Sequence, residues 1–177
     1  MSREKGFGRV HVITGSGRGK TTAAFGLAMR ASGHGYRVCI VQFMKTGETT
    51  GEVLGARRLG NVSVHQFGTG RFVDPKKVSD KDRQCAREAL GCARKSLTEG
   101  ECELLILDEV NTAASFGLVR VDEILELLRS PRAGVEVVLT GRNAPKEFIE
   151  VADYVSVVEN RKHPFEEGLE ARKGIEW

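Results

Sequence analysis

The stretch from residue 10 to residue 22 constrains the fold more than any other part of the chain. Its first residues, Val-His-Val-Ile, are mostly β-branched and apolar, which is typical of a buried strand. Residues 15–19, Gly-Ser-Gly-Arg-Gly, then allow a tight turn whose backbone N–H groups point inward. Such a turn at the start of a helix binds phosphate. Lys20 and Thr21 follow, and they supply a charge for phosphate and a hydroxyl for a divalent cation.

This stretch matches the P-loop pattern except in the position of its first glycine. The usual spacing puts a glycine at residue 14, where Thr14 stands, and the first glycine is Gly15. Strand, Gly-Lys-Thr and helix still follow one another in the required order. We therefore predict a triphosphate site rather than a glycine-rich turn without a ligand. The shifted glycine leads us to expect that the nucleotide does not lie in the loop in the ordinary way.

A second motif lies at residues 103–109, Glu-Leu-Leu-Ile-Leu-Asp-Glu. Four apolar residues followed by Asp108 and Glu109 resemble a Walker B strand, whose acidic residue holds magnesium opposite the P-loop hydroxyl of Thr21. Two acids after a strand are also found where a helix begins, so the pattern has a structural interpretation as well. Which of the two carboxylates contacts the metal stays open.

Polar residues also follow two other predicted strands. Gln42 and Lys45 come at the end of the strand at residues 37–43, and Arg142 follows the strand at residues 135–139. Ligands of parallel sheets bind beyond the carboxyl ends of the strands. Gln42 and Lys45 are thus expected either to reach a substrate or to solvate a strand end, and Arg142 is expected to contact phosphate or ribose.

The pattern as a whole predicts one α/β domain, residues 1–177, with a parallel sheet and helices on both faces. Six strands are predicted, at residues 10–13, 37–43, 62–67, 103–109, 135–139 and 153–159. The excess of 27 basic over 24 acidic residues is too small to indicate nucleic acid. No apolar run could cross a membrane, and the short polar segment 1–8 is not a signal peptide. Four cysteines without a C-x-x-C pair indicate reduced thiols in the cytoplasm.

Three functional classes are compatible with these residues. An ATP hydrolase coupled to motion or DNA is the first, and a transferase acting on ATP and a small substrate is the second. The third, a GTPase switch, is disfavoured because the chain has no Asn-Lys-x-Asp motif.

Several motifs in the same order carry a resemblance to one family. They lie at residues 14–22, 41–45, 107–109, 139–142 and 162–165, and the segments 15–26 and 168–177 are particularly similar. On these motifs the chain, from about residue 10 to residue 177, resembles the P-loop ATP:corrinoid adenosyltransferases. The resemblance implies a fold similar to the RecA core, a homodimer, and transfer of the 5′-deoxyadenosyl group of ATP to cobalt(I) of a reduced corrinoid, with release of tripolyphosphate. A RecA-like ATPase that hydrolyses ATP is the alternative enzyme, and an ATP-dependent corrinoid carrier is the alternative without catalysis.

The resemblance also implies roles for individual residues. The triphosphate would be held, in a reversed orientation, by Gly15, Ser16, Gly17, Arg18, Gly19, Lys20, Thr21 and Thr22. Magnesium or manganese would lie near Thr21 and Glu109, with Asp108 adjacent, and Arg30 matches a position near the nucleotide. Cobalt(I) is itself the nucleophile, so no Ser/His/Asp apparatus is needed.

An aromatic loop of the family covers the lower face of the corrinoid and eases reduction of cobalt(II) by a partner reductase. Phe72 matches the first aromatic residue of that loop, whereas Asp74 stands where relatives can carry a second. The identity of the natural corrinoid and of the reductase stays open.

Overall fold

The computed structural model describes residues 8–47, 50–129, 134–164 and 168–177. The polar start of the chain, residues 1–7, and Phe165 of the family-like segment 162–165 lie outside the described residues.

All six predicted strands are present and form one parallel sheet. In chain order they are β1 (Val10–Thr14), β2 (Val38–Phe43), β3 (Val62–Phe67), β4 (Leu104–Asp108), β5 (Glu136–Thr140) and β6 (Tyr154–Val157). Their order across the sheet is β3-β2-β4-β5-β1-β6, and every pairing is parallel. The strand that precedes the glycine-rich loop and the strand that ends in Asp108 are therefore separated by β5, an arrangement consistent with a RecA-like P-loop fold.

Helices cover both faces of the sheet, as the sequence predicts. They are α1 (Lys20–Gly33), α2 (Gly51–Ala56), α3 (Asp80–Thr98), α4 (Val110–Ser115), α5 (Val121–Arg129) and α6 (Lys146–Val151). One apolar cluster joins α1 and α2 to one face, and a larger one joins the other four helices to the opposite face. Strands β2 and β4 are buried along their whole length, which explains their continuous apolar runs.

This topology brings the functional motifs to one edge. Because all strands are parallel, the chain leaves β1, β2, β4 and β5 at the same side of the sheet. The glycine-rich loop, Lys45, Glu109 and Arg142 follow those four strands directly. Within the described residues, no helix has the length and apolar character needed to span a bilayer.

Candidate active site

The glycine-rich loop is held in shape by the chain that follows β6. The N–H of Gly17 donates a hydrogen bond of 2.7 Å to the carbonyl oxygen of Val158. A Cβ atom at Gly15 would lie 2.9 Å from the backbone nitrogen of Val158 and closer still to its carbonyl oxygen, and one at Gly17 would lie 2.7 Å from the carbonyl of Glu159. Gly19, with φ of 108°, adopts the left-handed conformation that favours glycine. Close approach thus requires the first two glycines, and backbone conformation requires the third.

The absence of a glycine at residue 14 also has a structural reason. Thr14 is the last residue of β1 and is buried, and its hydroxyl accepts a hydrogen bond of 3.2 Å from the N–H of Ala144. The left-handed turn begins only at Gly15, with φ of 105°. The strand therefore extends one residue further than the usual pattern allows.

Lys20 lies inside the loop rather than in solvent. Its side chain is almost fully buried, and its Nζ donates a hydrogen bond of 2.6 Å to the carbonyl oxygen of Gly17. Burial lowers the pKa of Lys20, an effect that the carboxylate of Glu109 opposes and the guanidinium of Arg142 reinforces. A desolvated cation at the first residue of helix α1 is a site that an anion stabilises.

Asp108 is the centre of a buried polar network. Its carboxylate is 0% exposed. One oxygen, Oδ1, accepts hydrogen bonds from the hydroxyls of Thr140 (2.6 Å) and Thr21 (3.0 Å). The other, Oδ2, accepts from Nε2 of Gln42 (2.9 Å) and Nζ of Lys45 (2.7 Å). Burial alone would raise the pKa of Asp108, but the charge and hydrogen bond of Lys45, with the other donors, hold that pKa below its usual range.

Lys45 connects this network to Thr21, at the start of the helix that follows the glycine-rich loop. Its ammonium also donates a hydrogen bond of 3.1 Å to the hydroxyl oxygen of Thr21, and only 30% of its side chain is exposed. Burial acts to lower the pKa of Lys45, but the charge and hydrogen bond of Asp108, together with the charges of Glu109 and Glu52, outweigh it, so that pKa is raised. The negative charge of Asp108 is thus matched by a protein cation, and Thr21 is held by both partners.

Glu109 differs from its neighbour because its side chain faces the cavity. It follows β4 with φ of 65°, and its N–H donates a hydrogen bond of 3.0 Å to the hydroxyl oxygen of Thr140. Its Oε2 accepts a hydrogen bond of 2.7 Å from the hydroxyl of Thr112. The left-handed turn is what directs two consecutive acids to different surroundings, one into the core and one into the cavity.

The oxygen donors beside the loop suit magnesium or manganese held mainly by phosphate. Across residues 8–47, 50–129, 134–164 and 168–177, no group of three or more His, Cys, Asp and Glu side chains could hold a metal ion. The hydroxyl of Thr21 and the carboxylate of Glu109 are hard donors at the P-loop. Magnesium is usually bound by one or two such groups together with substrate phosphates and water. The residues present therefore fit a cation that arrives with a nucleotide.

A cavity of about 800 Å³ lies over the loop. Most of the predicted loop residues line it, together with Glu109 and Arg142. The complete lining is Ser16, Gly17, Arg18, Gly19, Lys20, Thr21, Thr22, Phe25, Lys45, Gly51, Glu52, Glu109, Arg142, Asn160, His163, Gly174, Ile175, Glu176 and Trp177. Its volume falls in the range of small-molecule and cofactor sites.

Four residues assigned to the site from sequence lie outside this lining. Gly15 shapes the loop from behind, and Asp108 lies beneath Thr21. Arg30 lies on the outer side of α1, beside a separate shallow depression. Phe72 is 94% exposed, in the segment between β3 and α3. The structure does not bring Arg30 or Phe72 to the cavity, and their roles stay predictions.

Gln42 fits neither of its two expected positions. Its side chain is buried and is not part of the cavity lining, and it bonds both Asp108 and Gln66. It is a structural partner of the acid rather than a substrate contact or a solvated strand end. Lys45 does line the cavity. Its ion pair with Asp108 could not be predicted from the sequence, because the pair depends on β2 and β4 being neighbours in the sheet.

Several residues of the site were not predicted from the sequence, among them Thr140 and residues 174–177. Thr140 is the last residue of β5, and this place at a strand end, like that of Arg142, was a usable signal in the sequence. The carboxy-terminal residues 174–177 line the cavity as well, although no periodic pattern marks them.

Comparisons with known proteins place the chain in a family. The family described as ATP:corrinoid adenosyltransferase BtuR/CobO/CobP matches residues 6–177. A corrinoid adenosyltransferase of Pseudomonas aeruginosa is 38% identical over 175 residues, covering 98% of this chain and 85% of that protein. One of Sinorhizobium sp is 36% identical, covering 96% and 80%, and one of Escherichia coli is 34% identical, covering 96% and 86%. The chain belongs to the ATP:corrinoid adenosyltransferase family.

Proposed function

We propose that the protein transfers the 5′-deoxyadenosyl group of ATP to cobalt(I) of a corrinoid and releases tripolyphosphate. Family membership supports the reaction class. The observation that carries the assignment of the site is the buried Lys20 within the glycine-rich loop, with Arg18 and Arg142 on the same cavity wall. Three cationic side chains that line one cavity at the start of a helix match a highly charged triphosphate.

The proposed reaction does not require a nucleophilic side chain of the protein. Cobalt(I), which the substrate supplies, donates its electron pair to C5′ and forms the cobalt–carbon bond. The bond between C5′ and the phosphate oxygen breaks, and its electron pair leaves with tripolyphosphate. Negative charge therefore grows on the leaving group in the transition state. Lys20 and Arg18 would stabilise that charge, and fixing C5′ relative to cobalt would lower the entropic part of the barrier.

Magnesium or manganese would be held by Thr21 and Glu109 together with the phosphates, where it supplies further charge neutralisation. Asp108 acts on this site through its neighbours, since it fixes the hydroxyl of Thr21 and the ammonium of Lys45. The displacement of the first glycine to Gly15 supports a reversed nucleotide, with the sugar carbon rather than the terminal phosphate directed to the acceptor.

The remaining assignments rest on the family resemblance. We propose that the enzyme is a cytoplasmic homodimer and that a separate reductase supplies the electron. The assignment of Phe72 rests on its match to the aromatic loop of the family, and its 94% exposure makes the ring accessible to a flat apolar ligand. A contact with this ring would cover the lower face of the corrinoid.

An anaerobic assay tests the proposal. Purified protein, MgATP and a chemically reduced corrinoid should produce the adenosylated corrinoid over many turnovers. The light-sensitive absorption spectrum of the product measures its formation. Product limited to one equivalent of protein would indicate a carrier rather than an enzyme. Phosphate release from ATP without any adenosylated product would indicate the RecA-like hydrolase.

A further inference from the structure

The carboxy-terminal residues 172–177 form a compact turn, called here the terminal turn. The N–H groups of Ile175 and Glu176 donate to the carbonyl oxygen of Arg172, at 3.2 and 2.9 Å. The N–H of Gly174 donates to the carbonyl oxygen of Trp177 at 2.6 Å. The two bonds to Arg172 have the direction found in an isolated helical turn. The bond from Gly174 runs the opposite way along the chain and closes the last residues onto it.

Glu176 is anchored inside this turn by Arg172. The guanidinium donates to both carboxylate oxygens, each at 3.1 Å, and the N–H of Arg172 adds a third hydrogen bond of 2.8 Å. These bonds lower the pKa of Glu176 to about 2, so the side chain is ionised at neutral pH. A two-pronged Arg–carboxylate pair also fixes the orientation of the carboxylate.

The same carboxylate reaches the P-loop. Nη1 of Arg18 lies 3.3 Å from Oε1 of Glu176, and Nη2 of Arg18 donates to the carbonyl oxygen of Ile175. One carboxylate thus lies between two guanidinium groups, and the three side chains together keep one positive charge. Arg18 and the terminal turn line the same cavity, so that charge borders the loop.

The physical consequence concerns the entropy of Arg18. A solvated arginine has many rotamers, and it loses most of them when it binds a phosphate oxygen. Contacts that restrict the side chain beforehand reduce that loss. Glu176 and the carbonyl of Ile175 restrict Arg18 from the side of the terminal turn, and they leave its net charge uncancelled because Arg172 shares the carboxylate.

We propose that the terminal turn is a positioning element for the triphosphate, in which Glu176 orients Arg18 toward the phosphate groups. This inference rests on the proposed function, since it requires that the cavity bind a triphosphate. It assigns to the carboxy terminus a role in affinity for the leaving group. If Glu176 instead competed with phosphate for Arg18, removing its charge would raise the affinity for the triphosphate rather than lower it.

The test measures the affinity for inorganic tripolyphosphate and for MgATP by titration calorimetry. Glu176→Gln keeps the shape of the side chain and removes its charge. We expect it to weaken the binding of both ligands about three- to tenfold, in the lower part of the range of coupling within one ion-pair network. In an Arg18→Ala background the same change should have no effect. Glu150→Gln, at a surface ion pair with Lys146, is the matched control and should leave both affinities unchanged.

A second readout follows the turn directly. Trp177 is the only tryptophan of the chain and lines the cavity, so its fluorescence reports the terminal turn. Tripolyphosphate should shift its emission in the wild-type protein. An unchanged circular dichroism spectrum of Glu176→Gln would establish that the variant is folded, and Glu176→Asp, which keeps the charge, should recover part of the affinity.

The outcomes separate this inference from the proposed function. If the wild-type protein binds neither tripolyphosphate nor MgATP, the proposed site is wrong. If it binds both, and Glu176→Gln binds them equally well or more tightly, the positioning role is overturned while the site remains. A loss of the same size with and without Arg18 would mean that Glu176 acts on the fold rather than through Arg18, and would also overturn the inference.

Discussion

Replacing Lys45 with methionine removes the cation of the buried network while keeping the stem of the side chain. At an effective dielectric constant of about 20, charges separated by the 2.7 Å between Nζ of Lys45 and Oδ2 of Asp108 attract by roughly 6 kcal/mol before desolvation is counted. Loss of one partner of a buried pair costs about 3–5 kcal/mol. The 30% exposure of Lys45 and the three neutral donors that Asp108 retains reduce this value. We expect Lys45→Met to lower the free energy of unfolding by about 2–3 kcal/mol.

The pH dependence gives this prediction a distinctive signature. In the wild-type protein the pKa of Asp108 is depressed, so its contribution to stability is present above the ordinary aspartate value and is lost only as the pH falls through the lower folded value. In Lys45→Met the opposing charge is gone, and burial should raise the folded pKa of Asp108 above the unfolded value. Protonation then relieves the cost, so the destabilisation should be larger at pH 8 than at pH 5.

Urea denaturation of both proteins at several pH values measures the effect. Arg37→Met is the control, because the Arg37–Glu103 pair, at 2.6 Å, is partly exposed and should contribute less than about 1 kcal/mol. Adding Asp108→Asn to Lys45→Met should recover stability, since the uncompensated charge is removed. A destabilisation no larger than that of Arg37→Met, with no dependence on pH, would refute the view that Lys45 neutralises Asp108.

Three further predictions concern the loop and the surface. Gly15→Ala should reduce stability by more than about 2 kcal/mol in urea denaturation, because its Cβ would overlap the chain after β6; Gly26→Ala, in open space on α1, should stabilise by about 0.5–1 kcal/mol. Equal effects would contradict the close approach. Lys20→Ala should lower kcat/KM for ATP by about two to three orders of magnitude, while the exposed Lys146→Ala should not; a near-normal rate would remove Lys20 from the site. Phe72→Ala should leave urea stability unchanged and slow adenosylation from cobalt(II) more than from pre-reduced cobalt(I), and equal slowing would exclude a role in reduction.

The elements could be predicted because their signals are local. Strand β3 lies at the predicted residues 62–67. Ser79 is the N-cap residue before α3 and forms a capping box with Asp82, a pattern that lies within four consecutive positions. Strands β1 and β4 could also be predicted, because each is an apolar run with a distinctive sequence at its end. A glycine-rich loop follows β1, and β4 ends in Asp108. The layered arrangement then follows from alternating strands and helices.

The contacts between elements could not be predicted in the same way. The pairing of Lys45 with Asp108 depends on β2 lying beside β4. The sequence of a single segment does not determine the order of strands in a sheet. The different surroundings of Asp108 and Glu109 depend on the left-handed conformation of Glu109. Because this residue is not a glycine, the sequence does not predict that conformation. The contact of Glu176 with Arg18 joins residues far apart in the chain, and neither segment predicts the other.

The central claim is that the loop presents the sugar carbon of ATP, and not its terminal phosphorus, to the acceptor. Phosphorus NMR of the completed anaerobic reaction with reduced corrinoid tests it most directly, because the two modes of cleavage release different phosphorus compounds. We expect intact tripolyphosphate in an amount equal to the adenosylated corrinoid. ADP and inorganic phosphate as the products, with the corrinoid unmodified, would contradict it.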